Sequence, residues 1–122
     1  MSPSGFLPGR FDERWNARAR WVCVPGSAQL GIALMSLPRR TGEASDTATA
    51  ERLADFLCWL QRVSGVGADR RGGLPGAYPI WAPDSPLTYP CWAGKYFLDL
   101  VLLLLARPAV PTPADAAVRE RT

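Results

Sequence analysis

Two leucine-rich segments, offset by 68 residues, constrain the fold of this chain more than any other feature. CVPGSAQLGIALMSLPR (23–39) and CWAGKYFLDLVLLLLAR (91–107) align without a gap and are identical at six of 17 positions. Leucine richness alone supplies part of this identity, so a chance match is the alternative. A true match makes the two segments equivalent helices of a repeat, in which each unit buries its apolar face against its neighbours.

The first two helices are predicted from apolar residues at helical spacing. We expect the first to begin with Ser27 as its N-cap, because a serine hydroxyl can accept a free backbone N–H, and to end at Pro38. Its apolar face comprises Leu30, Ala33, Leu34 and Leu37. The second is predicted over 44–64, with charged residues on its outer side and Gly65 as its stop. Its buried stripe comprises Leu53, Phe56, Leu57, Leu60 and Val63.

The third helix is predicted over 91–106, after a long proline- and glycine-rich segment at 66–90. The proline density of that segment excludes a helix or a central strand, so we expect a loop. Loops of this length are uncommon in compact domains, and its aromatic residues argue against a simple linker. The second half of the third helix is apolar all round, which predicts burial on every side. The first two helices cannot provide that much cover.

Composition excludes several classes of function. The chain has no histidine, which excludes Ser-His and Cys-His catalytic sites and metal sites with histidine ligands. The net charge is +3, but the arginines are scattered, so nucleic acid is not an expected partner. The longest apolar run, 96–106, falls short of the roughly 20 residues that span a bilayer. With no signal-peptide pattern and an odd number of cysteines, we expect a cytoplasmic protein without disulfides.

The chain is expected to contain one structural domain with two irregular ends. Residues 1–20 form an irregular lead-in with one helical turn near 12–16. Residues 21–107 form the helical repeat domain, and 108–122 form a flexible, proline-bearing tail. Cys23, Cys58 and Cys91 are expected to be small buried hydrophobic residues, because no base or cation accompanies them.

The segment 72–98 resembles a stretch in bacterial members of the α/α-toroid superfamily, which includes squalene–hopene cyclases and protein prenyltransferase β subunits. In related bacterial proteins, a helix ending in Trp-Leu-x-x-x-Gln is followed by Gly-Gly-Ile-Pro-Gly-Ser-Tyr-Pro-Ile-Trp-Gly and then by Asn-Trp-Ala-Ala-Lys-Phe-Phe. This chain has WLQ at 59–61, GGLPGAYPIW at 72–81 and CWAGKYF at 91–97. CVPGSAQ at 23–29 is similar to the Cys-Leu-Thr-Gly-Asn-Ala-Gln opening of their preceding inner helix. The likeness covers roughly 10–107.

The resemblance implies an all-α fold built from helical hairpins of an α/α toroid. The first and third helices would be inner helices, the second an outer one, and the chain would supply only a C-terminal part of the ring. The catalytic motifs of the superfamily are missing. The Asp-rich acid motif of the cyclases is absent, and the Asp-Cys-His zinc site of the prenyltransferases cannot be assembled without histidine. No metal or cofactor is therefore expected, and whether the chain is an enzyme stays open.

Candidate substrate-binding residues lie around the loop that enters the third helix. Aromatic faces there can stack on a sugar or an isoprenoid chain, while the helix N-terminus and a lysine can hold a phosphate. These candidates are Tyr78, Trp81, Asp84, Tyr89, Trp92, Lys95 and Asp99. The preferred alternative is structural: Trp81 and Trp92 pack the loop onto the helices, and Lys95 is solvated. GGLPGAYP is not a phosphate-binding loop, because neither a strand before it nor a Lys-Ser/Thr after it is present.

Asp99 stands in an apolar helix, so we expect it to pair with an arginine, cap a neighbouring group or face a central cavity.

Two functions follow as expectations. The first is a non-catalytic or incomplete toroid module that associates with copies of itself or with a separately encoded remainder of the ring. The alternative is part of an enzyme that acts on an isoprenoid or carbohydrate substrate once the ring is completed. A third, weaker option is a protein that binds a membrane surface through the third helix.

Overall fold

The computed structural model describes residues 7–36 and 44–107. The elements, in chain order, are β1 (Val22–Cys23), α1 (Val24–Ser36), α2 (Ala44–Leu60), β2 (Ala77–Tyr78) and α3 (Cys91–Leu105). The described chain is therefore mainly α-helical, as expected. The predicted end of α1 at Pro38 and the tail at 108–122 lie outside the described residues.

The first helix begins three residues earlier than predicted, and Ser27 is not its N-cap. Ser27 is fully buried inside α1, where its hydroxyl donates a hydrogen bond to the Cys23 carbonyl oxygen at 2.8 Å. The early start is possible because Pro25 has no N–H to satisfy in the first turn, and the Val24 N–H donates to the Gly76 carbonyl oxygen at 3.3 Å. A contact with the 66–90 segment thus replaces the expected side-chain cap.

The second helix ends at Leu60, four residues before the predicted end. The apolar stripe is confirmed up to that point, with Leu53 and Leu57 fully buried. Beyond it the chain leaves the helix because the Arg62 N–H donates to the Gly73 carbonyl oxygen at 3.2 Å. Val63, predicted to be buried, is exposed for this reason.

The 66–90 segment contains a short strand that the sequence did not predict. β2 pairs with β1 in antiparallel register, Val22 opposite Tyr78 and Cys23 opposite Ala77. The rest of the segment consists of turns and irregular chain, as expected. Leu74 is 1% exposed within the helical core, so the segment is anchored to the domain and is not a linker.

The hydrogen bonds around Gly76 fix the relative direction of the helices. Gly76 accepts from Val24 at the start of α1 and donates to the Thr88 carbonyl oxygen, three residues before α3, at 3.0 Å. The N-terminal ends of α1 and α3 therefore lie at the same end of the domain. Just beyond the C-terminal end of α3, Arg107 pairs with Glu51, midway along α2, at 2.7 Å. Near the C-terminal end of α2, Trp59 contacts Tyr78 of β2, which pairs with β1 beside the start of α1. Thus α1 and α3 run parallel, and α2 runs antiparallel to both.

The core lies between the three helices and is built largely from small and aliphatic side chains. Alanines at the helix contacts let the backbones approach closely, while leucines and one phenylalanine fill the remaining space. Its buried members are Val24, Ala28, Ala50, Ala54, Leu57, Leu60, Leu74, Ala93, Phe97 and Leu100.

The second half of α3, predicted to need cover on every side, is covered on one side only, in line with the expectation that the first two helices cannot provide that much cover. Its inner face enters the core, but Leu98 is 56% exposed, Leu102 54% and Leu105 76%. These three residues, spaced by four and three, form one stripe along the helix, which we call the leucine face. The reason is geometric: α1 and α2 both pack against the same side of α3 and leave the opposite side open.

Within 7–20 the chain is irregular, and the helical turn predicted near 12–16 is absent. Trp15 has a φ of 62°, which is incompatible with a right-handed helix. Instead, the Asp12 carboxylate accepts hydrogen bonds from the backbone N–H groups of Arg14 and Asn16 at 2.9 and 2.8 Å. Hydrogen bonds from the Asn16 side chain and backbone, followed by those from Arg14 and Arg18, lower the pKa of Asp12.

The cysteines are less buried than expected. Cys58 and Cys91 are exposed and Cys23 is half-buried, all three as free thiols. Cys58 lies on the outer side of α2 and Cys91 is the first residue of α3, so neither position faces the core.

Candidate functional site

An aromatic cleft lies between the C-terminal end of α2 and the 66–90 segment. Its volume is about 380 Å³, within the range typical of small-molecule sites. Most of its lining is aromatic or apolar, with one charged side chain. The lining residues are Trp59, Leu60, Arg62, Pro75, Tyr78, Pro79, Ile80, Trp81 and Tyr89.

Hydrogen bonds between residues 61–62, just after α2, and the 66–90 segment hold the two walls of the cleft together. Arg62 forms two backbone hydrogen bonds with the adjacent glycines Gly72 and Gly73. Its N–H donates to the Gly73 carbonyl oxygen, and its carbonyl oxygen accepts from the Gly72 N–H at 2.6 Å. The Gln61 side-chain amide adds a third bond to the Gly72 carbonyl oxygen at 3.0 Å. These bonds fix the backbone from which the Arg62 side chain projects.

Three aromatic rings support one wall of the cleft. The Trp59 and Tyr78 rings meet edge to face with centroids 5.6 Å apart. Phe56 lies one turn earlier on α2, with its ring centroid 6.1 Å from that of Trp59 and 6.0 Å from that of Tyr78. Such ring pairs are each worth about 0.5–1.5 kcal/mol beyond the area that they bury. Trp59 and Tyr78 are thus held in place before any ligand arrives.

The cleft presents aromatic surface and one cation to solvent. Trp59 is 67% exposed and Trp81 73%. Within 7–36 and 44–107, no carboxylate forms an ion pair with the Arg62 guanidinium, and no side-chain hydrogen bond to it is formed. Its charge is therefore not neutralised by the part of the chain that the structure describes.

The structure brings three of the sequence-predicted site residues into this cleft: Tyr78, Trp81 and Tyr89. The sequence reasoning missed Trp59 and Arg62. The sequence offered a clue to Trp59, since this residue begins the WLQ motif that precedes the glycine-rich segment. Nothing in the local sequence distinguished Arg62 from the other arginines.

The other four predicted residues do not line the cleft. Asp84 is exposed on the 66–90 segment, and Trp92 is exposed in the first turn of α3. Lys95 and Asp99 lie one turn apart on α3 and pair with each other, so Asp99 meets a lysine and not the expected arginine.

The Lys95–Asp99 pair is a feature of the exposed side of α3. The Lys95 ammonium donates to an Asp99 carboxylate oxygen and lies 4.7 Å from the centroid of the Tyr96 ring. The hydrogen bond to Asp99, with a smaller contribution from its charge, raises the pKa of Lys95. Lys95 therefore stays charged and engaged with its own helix.

The described residues offer no cluster of three or more His, Cys, Asp or Glu side chains that could hold a metal ion. In the same part of the chain, every helix is too short or too polar to cross a membrane.

Comparisons of the chain with protein-family models, with curated proteins and with solved structures find no match.

Proposed function

We propose that this chain is a helical-repeat module of the α/α-toroid type that functions by assembly, with the leucine face of α3 as its binding surface and a second copy of the chain as its partner. The single observation that carries the proposal is the parallel packing of α1 on α3. Parallel neighbouring helices are the arrangement in which one repeat unit covers the next.

A comparison of equivalent positions in the two repeats supports this surface. Leu30 and Leu34 of α1 are half-buried, and Leu34 packs against the core. Their equivalents in α3, Leu98 and Leu102, are more than half exposed. The same repeat positions are thus half-buried in α1, which packs against both other helices, and exposed in α3.

The chemistry of the leucine face suits a protein partner. Lys95 and Asp99 flank it, but they pair with each other and leave little net charge there. Spacing by four and three residues is the pattern with which one helix packs against another. A second copy supplies a leucine face of the same kind, so two copies can bury both faces in one symmetric contact.

The cleft lining favours a binding module over an enzyme. Among its nine residues, Arg62 alone is charged, and neither a carboxylate nor a thiol is present. General acid–base and nucleophilic catalysis most often use such a group, and the two tyrosine phenols of this lining, of Tyr78 and Tyr89, are its only titratable groups besides Arg62.

The test is the oligomeric state of the full chain, measured by sedimentation velocity over a range of concentrations. The double variant Leu98→Gln/Leu102→Gln removes most of the leucine face, while Leu87→Gln makes the same change at an exposed loop leucine. We expect the wild type and Leu87→Gln to associate, and the double variant to be monomeric with an unchanged circular dichroism spectrum. A wild type that stays a folded monomer at every concentration, or a double variant that associates equally well, contradicts the proposal.

A further inference from the structure

We infer that the aromatic cleft binds a small anion that carries a ring: one face of the ring stacks on the exposed tryptophan faces, and the anionic group pairs with Arg62. A carboxylated sugar and a nucleoside monophosphate share this chemistry. The inference is independent of the proposed assembly, because the residues of the leucine face do not line the cleft.

The exposed tryptophans indicate the ring. Trp59 and Trp81 leave most of their surface in water although both border the same cleft. A large aromatic side chain in water forgoes the stabilisation of burial, and a ligand ring that covers it recovers that free energy. Contacts with Phe56 and Tyr78 hold the Trp59 ring in place, so stacking on it costs little conformational entropy.

The charge of the cleft indicates the anion. Arg62 is the one charged residue in the lining and has no acidic partner in the described chain. Its planar guanidinium matches the two oxygens of a carboxylate or phosphate. The same charge argues against the other ligand class that aromatic clefts accept, quaternary ammonium ions, because two cations would share one small site.

Arg62 is positioned for this role by the backbone and not by another side chain. Its N–H and its carbonyl group are bonded to Gly73 and Gly72, so its Cα is fixed at the rim of the cleft. The guanidinium can therefore be changed while the wall stays intact, which makes a clean test possible.

The test uses isothermal titration calorimetry on the full chain with two pairs of ligands. Glucuronate is compared with glucose, and adenosine monophosphate with adenosine. The variants are Arg62→Gln, Arg62→Lys and Trp81→Leu. The matched controls are Arg52→Gln, which removes an exposed arginine of α2 outside the cleft, and Trp92→Leu, which removes an exposed tryptophan outside the cleft.

We expect at least one of the two anions to bind, with its uncharged counterpart about tenfold weaker or undetectable. Arg62→Gln is expected to lower the affinity for the anion about tenfold or more. Arg62→Lys is expected to lower it less, because lysine keeps the charge but lacks the two parallel N–H donors of the guanidinium. Trp81→Leu is expected to lower the affinities for the anion and for its uncharged counterpart by the same factor. The two control variants are expected to leave both affinities unchanged. The anion that binds shows whether the ligand is a carboxylated sugar or a nucleoside monophosphate.

Three outcomes overturn the inference. The first is that neither anion binds at millimolar concentration. The second is that the uncharged ligand binds as tightly as its anion, and the third is that Arg62→Gln leaves the affinity of the anion unchanged. Circular dichroism of each variant separates loss of binding from loss of folding.

Discussion

At the scale of single residues, the contact between Gly31 and Leu100 joins α1 and α3. A Cβ added at Gly31 would lie 2.7 and 2.8 Å from the two Leu100 methyl carbons, closer than side chains tolerate. Leu100 is fully buried and cannot move aside without disturbing the core. Gly31 has an ordinary helical backbone conformation. Glycine is therefore required here because no side chain fits, and not because of its conformational freedom.

Gly31→Ala is expected to destabilise the domain. Overpacking costs about 1–3 kcal/mol, and the gain in helix propensity of about 1 kcal/mol offsets only part of it. Gly94→Ala is the matched control on α3, where a Cβ would meet nothing within 4 Å, and it should stabilise by about 0.5–1 kcal/mol. Urea denaturation followed by circular dichroism measures both. Equal gains in the two variants would show that α1 and α3 do not approach closely at Gly31.

Single residues also show how far the sequence alone identified the site. The aromatic residues of the 66–90 segment were found because aromatics are unexpected in a proline-rich loop, and Tyr78, Trp81 and Tyr89 do meet in one cleft. Arg62 was not found because its role depends on Gly72 and Gly73, ten or more residues further along the chain. A pairing between distant residues leaves no local pattern in the sequence.

At the scale of elements, the 66–90 segment holds the domain together although it has little regular structure. It is bonded to the start of α1 through Gly76, to the end of α2 through Gly72 and Gly73, and to β1 through β2. Leu74 inserts into the core between these attachments. The segment therefore positions the aromatic cleft and also sets the relative direction of the helices.

Gln61→Ala is expected to loosen the wall of the cleft without unfolding the domain. It removes the hydrogen bond to the Gly72 carbonyl oxygen, worth about 1 kcal/mol, so the Arg62 and Gly72 amides should exchange with solvent about threefold to tenfold faster. Gln29→Ala, at an exposed position of α1, is the control. Hydrogen exchange measured by NMR resolves these amides. Unchanged exchange at Arg62 and Gly72 in Gln61→Ala would show that the two backbone hydrogen bonds hold the wall alone.

The elements were predicted well where local rules decide them and less well at their ends. Apolar spacing correctly located α1 and α2, and the apolar run after the proline-rich segment located α3. The face predicted for α1 was wrong in part, because Ala33 is exposed and Leu30 and Leu34 are only half-buried. The helix boundaries shifted where a distant segment provided the hydrogen bond: Gly76 at the start of α1 and Gly73 at the end of α2. The strand β2 was missed because a strand of two residues is too short to show an alternating apolar and polar pattern.

At the scale of the whole molecule, the described chain is a three-helix domain in which α1 packs against both α2 and α3. The helices bury a shared core, but the leucine face of α3 remains open to solvent. An exposed apolar stripe costs free energy in water, which favours association. The sequence predicted that the second half of α3 needs more apolar cover than α1 and α2 can provide, and the side that they leave exposed is the surface that we propose as the interface.

Association through the leucine face is expected to persist at high salt. Salt screens exposed charges, whereas apolar contacts are unaffected by sodium chloride at this level and are strengthened by sulfate. The dissociation constant from sedimentation should therefore be the same or lower at about 1 M sodium chloride than at about 0.05 M. A dissociation constant that rises more than tenfold over this range would indicate a contact carried by charges such as Lys95 and Asp99, and would contradict the proposed surface.

By itself, the sequence determined the helices, the irregular segment between the second and third of them, and the aromatic residues concentrated there. These features follow from periodicity, proline density and composition, which act over a few neighbouring residues. The parallel direction of α1 and α3, the cleft that adds Arg62 and Trp59 to the loop aromatics, and the open side of α3 were decided only by the tertiary structure. Each of these depends on contacts between segments far apart in the chain, and the free energy of such contacts is set by the packing of the whole domain.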